Sequence, residues 1–169
     1  EKLRNGMYGV IRESSFAHFL EENIRLVLEH APRAARRVSF CTDDVVASDV
    51  LSRGHIDNMI RMAVVAGIDP ITAIQMATIN GARALGLADE IGSLVAGKSA
   101  DVICVELTAP TVRPVLDPLS QLVYCSGREH VTDVWVAGEH LLSAGRLTRM
   151  DIEVILERAD QWGKRILDA

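Results

Sequence analysis

Apolar positions follow two different rhythms along this chain. Phe16, Phe19, Leu20, Ile24, Val27, Leu28 and Ala31 recur every three or four residues. That spacing lines one face of a helix, and Pro32 predicts its end. Short apolar runs flank this segment: "MYGVIRES", Met7–Ser14, before it and "VSFC", Val38–Cys41, after it. Both read as strands. Strand, helix, strand in that order predicts a parallel βαβ unit. Glu1–Asn5 reads as the end of a preceding helix, with Gly6 as its C-cap.

A loop, "VVASDVLSRG", follows Asp44. "HIDNMIRMAVVAG" predicts a helix closed by Gly67, and Asp69 followed by Pro70 predicts an N-cap and first helical position. The helix that follows carries Ile71, Ile74, Met76, Ala77 and Leu85 as apolar positions and is weakened by Gly81. The rhythm changes near Ile91. Val102–Val105 is a short apolar run, and Val131, Val134 and Val136 interleave with polar residues. Ala137-Gly138 then separates two strand-like runs as a hairpin turn would. Finally, Asp151 predicts the cap of a helix to about Leu167, with Ile152, Ile155, Leu156, Ala159, Trp162 and Ile166 on one face.

The 169 residues are 49% hydrophobic and 24% charged, a globular composition large enough for a real core. The net charge of −5 argues against a nucleic-acid partner, and no polybasic cluster suggests a membrane surface; Arg33, Arg36 and Arg37 form only a short group. No apolar run approaches the ~20 residues that span a bilayer, and no secretory signal is visible. The three cysteines, Cys41, Cys104 and Cys125, are widely spaced and lie in or beside apolar runs. They read as buried free thiols, and a cytoplasmic setting is expected.

Val38–Cys41 ends in Thr42 and two adjacent acids, Asp43 and Asp44. In parallel α/β folds the C-terminal ends of strands face the ligand site. Asp43 at such an end can bind a cation through oxygen, or move a proton between water and a leaving group. Asp44 can support it from behind; equally, the pair can simply cap the turn. Glu13 ends the neighbouring strand, either as a substrate contact or as a surface partner of Arg12. His55 opens a helix as a ligand, a support or a cap. His18 and His30 read as helix-surface residues. No HxH, HxxxH or HExxH spacing occurs, and a catalytic zinc usually needs three protein ligands.

Two stretches, "KLRNGMYGVIRESS" and "VSFCTDDVVASDVLSRGHIDNMIRMAVVAGIDP", resemble adenine deaminases of the amidohydrolase superfamily. Ser14 stands where that branch usually has Gly. Two further stretches, "MATINGARALGLADEIGSLVAGKSADVICVEL" and "LDPLSQLVYCSGREHVTDVWVAGEHLLSAGRLTRMD", resemble the methylthioadenosine/S-adenosylhomocysteine deaminase and chlorohydrolase branch, with the change falling between Asn58 and Met76. The resemblance implies an α/β chain from a metal-dependent (β/α)8 TIM barrel. Residues 1–90 would hold strands seven and eight, 91–147 part of a small composite β-sandwich, and 148–169 a C-terminal helix. It implies hydrolytic deamination of a purine-type ring, adenine or methylthioadenosine/S-adenosylhomocysteine, with a divalent metal: zinc first, iron or manganese next. Asp43 would be the metal-binding, proton-moving acid after strand eight, and Glu13 a substrate contact after strand seven. Asp44 and His55 would support them. The family's histidine ligands would precede Glu1. That leaves two assemblies open, a homo-oligomer or a half-barrel completed by a complementary chain. The competing expectation is a structural fragment, inactive alone.

Overall fold

A computed structural model describes residues 1–168. The predicted βαβ unit is present. Strand β1 (Gly9–Arg12) leads through helix α1 (Leu20–His30) to strand β2 (Val38–Cys41). The strands pair in parallel, with Gly9 opposite Val38 and Arg12 opposite Cys41. β1 is shorter than Met7–Ser14, because Ser14–His18 turn away. The Ser14 hydroxyl accepts from the Phe16 and Ala17 amides, folding a tight loop between strand and helix. Helix α1 therefore starts at Leu20 rather than Phe16, and Phe16 is 76% exposed instead of reaching the core. Residues 1–6 form a single turn with backbone bonds from Asn5 to Glu1, Gly6 to Leu3 and Met7 to Lys2, and Gly6 takes a φ of 88°, the bonding pattern of the expected helix end with Gly6 as its cap.

Helix α1 buries Leu20, Ile24 and Val27, one per turn, against α3 (Ile56–Val65), whose Met59, Ala63 and Val64 face inward. The expected loop after Asp44 contains a short helix, α2 (Ala47–Ser52), which buries nothing and so leaves no apolar signature. Helix α4 (Pro70–Ala77) is capped as predicted: the Asp69 carboxylate accepts from the Thr72 amide at 2.9 Å. The helix breaks at Thr78, not at Gly81, and resumes as α5 (Ile79–Ala84). Thr78 turns its hydroxyl back to the Ile74 carbonyl, a local bond that competes with helix continuation. Ile71 and Leu85, expected on the apolar face, are exposed.

Asn80 ties this helix pair to the sheet. It is fully buried, and its amide nitrogen donates to the carbonyls of Ala35 and Val38 at 3.2 and 2.9 Å. Val38 is the first residue of β2 and Ala35 lies in the turn that leads into it, so one side chain ties the entry of the strand.

The second unit is an antiparallel sheet in the order β3 (Val102–Val105), β4 (Val131–Val136), β5 (Glu139–Ser143), β6 (Arg146–Leu147). Ala137 and Gly138 both take positive φ, 49° and 80°, as a two-residue primed turn requires. Between β3 and β4, α6 (Pro118–Ser120) runs into a wide turn, Gln121–Cys125, which sends Val123 into the core shared with α3. Helix α7 (Ile152–Leu167) begins at Asp151 as expected, yet none of its residues is buried. The cysteines correct another expectation: all three are free but exposed. No helix among the described residues is long and apolar enough to cross a membrane.

Candidate active site

The ends of β1 and β2 are laced together by the residues that follow them. The Glu13 amide donates to the Cys41 carbonyl, continuing the ladder one step, and the Ser15 amide donates to the Asp44 carbonyl at 2.9 Å. The Ser15 hydroxyl then accepts from the Val46 amide. With these bonds in place, Asp43 sits two residues beyond β2 with a φ of 51°. A non-glycine residue in the left-handed region carries strain. Here the neighbouring loop holds it.

Arg12, the last residue of β1, donates to Asp43 Oδ2 at 2.6 Å. The expected surface pair was Arg12 with Glu13. The strand pleat separates adjacent residues to opposite faces, so Arg12 reaches across to Asp43 while Glu13 turns inward. The Arg12 guanidinium also lies over the Phe19 ring, 5.6 Å from its centroid. Asp43 keeps 36% of its side chain exposed, so the acid is both anchored and accessible.

Glu13 is only 5% exposed. Its Oε2 accepts from the Phe19 and Leu20 amides, both at 3.1 Å, and its Oε1 accepts from His18 Nδ1 at 2.7 Å. The carboxylate therefore satisfies two amides at the start of α1, where the helix dipole favours negative charge. His18 is exposed, as its spacing suggested, but it is not on the helix. It lies before α1 with one ring nitrogen tied to Glu13. A histidine five residues beyond an acid has no recognisable periodicity, which is why the pair is invisible in the sequence.

His55 shares a hydrogen bond between its Nε2 and the Thr42 hydroxyl at 3.0 Å, next to Asp43 in the chain. Its backbone amide donates to Asp57 Oδ1 at 2.7 Å. Burial pushes the Asp57 carboxyl up, but the bonds from the His55 amide and Arg61 outweigh it and leave its pKa below 3.8. Gly54 is required beside this pair. Its φ is +100°, and a Cβ there would lie 2.6 Å from Asp57 Oδ2. Glu13, Ser14, Thr42, His55, Asn58 and Met59 surround a cavity of about 20 Å³, room for a single water. The structure thus gathers Glu13, Thr42 and His55 around one small space. Asp43 and Arg12 do not line it, and Asp44 contributes its carbonyl to Ser15. Among the described residues no three His, Cys, Asp or Glu side chains converge on one point. Asp43 alone does not make a metal site.

The Amidohydrolase family model matches residues 8–141, and the chain belongs to that family. It is 61% identical over 105 residues to adenine deaminase 4 of Rhizobium meliloti (strain 1021), covering 62% of this chain and 18% of that protein. It is 46% identical over 101 residues to a 5-methylthioadenosine/S-adenosylhomocysteine deaminase of Teredinibacter turnerae, covering 60% of this chain and 23% of that protein. Among solved structures, an adenosine deaminase from Xanthomonas campestris with bound zinc superimposes at a TM-score of 0.69 and 32% identity, over 95% of this chain and 38% of that one. Atrazine chlorohydrolase from Arthrobacter aurescens, complexed with zinc, gives a TM-score of 0.63 and 26% identity, over 82% of this chain and 31% of that one. The chain spans about a fifth of the length of the curated relatives it matches.

Proposed function

We propose that this chain supplies one side of the active-site mouth of a hydrolytic deaminase acting on a purine-type ring. In this reading β1 and β2 are strands seven and eight of a (β/α)8 barrel, residues 91–147 belong to a small β-sandwich, and 148–169 are a terminal helix. One observation carries the proposal. Asp43 stands at the C-terminal end of a parallel strand, anchored through one oxygen and accessible to solvent, in a chain whose relatives include deaminases.

The chemistry asked of this acid is a proton relay. Water adds to the ring carbon that bears the amine. Asp43 takes a proton from that water and returns it to the amine nitrogen, which departs as ammonia and leaves a ring carbonyl. Glu13 borders the small cavity and is proposed as the substrate contact, acting through the edge of its carboxylate that His18 shares. Asp44 and His55 hold the Thr42–Asp43 segment in place. Adenine is the proposed substrate, supported by the higher identity to an adenine deaminase. Methylthioadenosine or S-adenosylhomocysteine is the second reading, supported by the other branch. A divalent cofactor, zinc first and iron or manganese next, is supported by the zinc-bearing structural relatives. Asp43 is the one donor proposed from this chain, and the remaining donors would have to come from outside the described residues.

The test is ammonia release from adenine and from methylthioadenosine by the full-length protein, with Asp43 intact and as Asp43→Asn. Loss of turnover by about 10³-fold in the variant is expected. Turnover within a few-fold of the parent would overturn the assignment.

A further inference from the structure

The opposite end of β2 carries a different arrangement. Arg4, His30, Arg33, Arg36 and Arg37 line an open cavity of about 440 Å³, completed by Ala31, Pro32 and Ala34. No carboxylate is among these residues. Arg4 donates through Nε and Nη2 to the His30 carbonyl at 3.0 and 2.8 Å, and Arg37 donates through Nη2 to the Leu3 carbonyl at 2.5 Å. These bonds fix two guanidinium groups without neutralising them, because a carbonyl carries no net charge. The Arg37 Nε is buried and has no hydrogen-bond partner. Arg33 and Arg36 are exposed and make no ion pair among the described residues, and the one acid that reaches the group is Glu29, whose Oε1 lies 3.8 Å from His30 Nε2.

Four guanidinium groups without a carboxylate partner line this one cavity, in a chain of net charge −5. They repel one another, and an anion seated between them relieves that more fully than solvent does. Guanidinium forks chelate phosphate oxygens in pairs. A single phosphate or a carboxylate leaves most of the positive charge unmet, while a diphosphate or triphosphate places three or four negative charges in a space of this size. The volume lies within the range of small-molecule sites. Arg37 directly precedes β2 and Asp43 follows it, so the two ends stand roughly 15–20 Å apart at ~3.3 Å per residue. The cavity is not a part of the catalytic mouth.

We infer that this cavity binds the oligophosphate group of a small molecule at the N-terminal end of β2, remote from the reacting acid. The group can arrive as free pyrophosphate or as the tail of a nucleotide.

Isothermal titration of the full-length protein with inorganic pyrophosphate, ATP and sulfate at about 0.15 M salt tests this. Saturable one-site binding of pyrophosphate or ATP is expected, weakened at least tenfold in an Arg33→Gln/Arg36→Gln double variant. Those two side chains support no fold contact, so the variant stays folded. An Arg25→Gln control, which removes a paired arginine on α1, should bind as the parent does. Tighter binding of ATP than of pyrophosphate assigns the source as a nucleotide; equal binding assigns the free anion. Sulfate binding as tightly as pyrophosphate, no saturable binding, or an unchanged affinity in the double variant each overturns the inference.

Discussion

Arg12 and Asp43 come from different strands and meet at 2.6 Å, where the parallel pair β1–β2 ends. The contact crosses from the last residue of one strand to an acid held in the left-handed region beyond the other. Its energy is small, because both groups are more than a third exposed and solvent screens them. Its geometric effect is larger: Oδ2 of the carboxylate is pinned and Oδ1 is left outside this contact. Arg12→Gln should change the unfolding free energy by less than about 1 kcal/mol. In the full-length protein it should lower kcat for deamination more than it raises KM. Unaltered kcat would remove Arg12 from any role at Asp43.

Glu13→Gln should cost more stability than Arg12→Gln. It replaces a buried carboxylate that accepts two helix amides and a histidine with a neutral amide. Hydrogen bonds to a buried charge contribute about 1.5–3 kcal/mol each, and part of this survives in the amide. A loss of about 1–3 kcal/mol in urea unfolding is expected. A smaller change would mean that α1 starts without this cap.

Asn80→Ala should destabilise by about 2–4 kcal/mol, since two carbonyls at the base of β2 lose their donor inside the protein. Urea unfolding again reads it. A loss below about 1 kcal/mol would show that Ala35 and Val38 find other partners.

Acid should unfold this chain in a defined window. Asp57, Asp69, Asp117 and Asp133 all have pKa values below the ordinary 3.8. For Asp69 the cause is the Thr72 amide and hydroxyl, for Asp117 the Ser120 hydroxyl and amide, and for Asp133 first the Thr132 hydroxyl and then His140. A carboxyl with a lower pKa folded than unfolded binds fewer protons in the native state. Its contribution is therefore complete above about 3.8 and is lost as pH falls through the lowered folded values. Calorimetry should find the Tm contribution of these groups constant from pH 7 to 5 and falling below pH 4. A Tm that rises below pH 4 would contradict these assignments.

The 169-residue chain by itself should release no ammonia from adenine with zinc added, and it should self-associate. Among the described residues no three His, Cys, Asp or Glu side chains converge to hold a metal. Val10, Phe16, Trp162, Ile166 and Leu167 are all more than half exposed, a pattern that favours association. Ammonia assay and sedimentation velocity check the two statements separately. Turnover by the chain alone, or a monomer at high concentration, would refute the corresponding one.

Periodicity located what depends on local chemistry. Strand β2, the Asp69–Pro70 start of α4, the Ala137-Gly138 turn and the Asp151 start of α7 all follow from side chains acting on their own backbone. It failed where a distant partner decides. Phe16 has helical spacing, but Glu13 and Ser14 use their side chains to start the helix later. Short α2 buries nothing, and the cysteines next to apolar runs ended up outside. At the candidate site, Asp43 could be singled out because a strand visibly ends there. The Arg12, His18 and Thr42 contacts are set by register and by a loop, and no spacing rule reports those.

Gly9 pairs with Val38 across the whole of α1, which orders events in time. A helix forms in about a microsecond, whereas a parallel ladder waits until the intervening chain has folded back. The Glu13 cap lets α1 settle first, and Asn80 can close the base of β2 only after α5 arrives. The strand ends beside Asp43 should therefore assemble late on the folding path, so that substitutions there speed unfolding and leave the folding rate nearly unchanged.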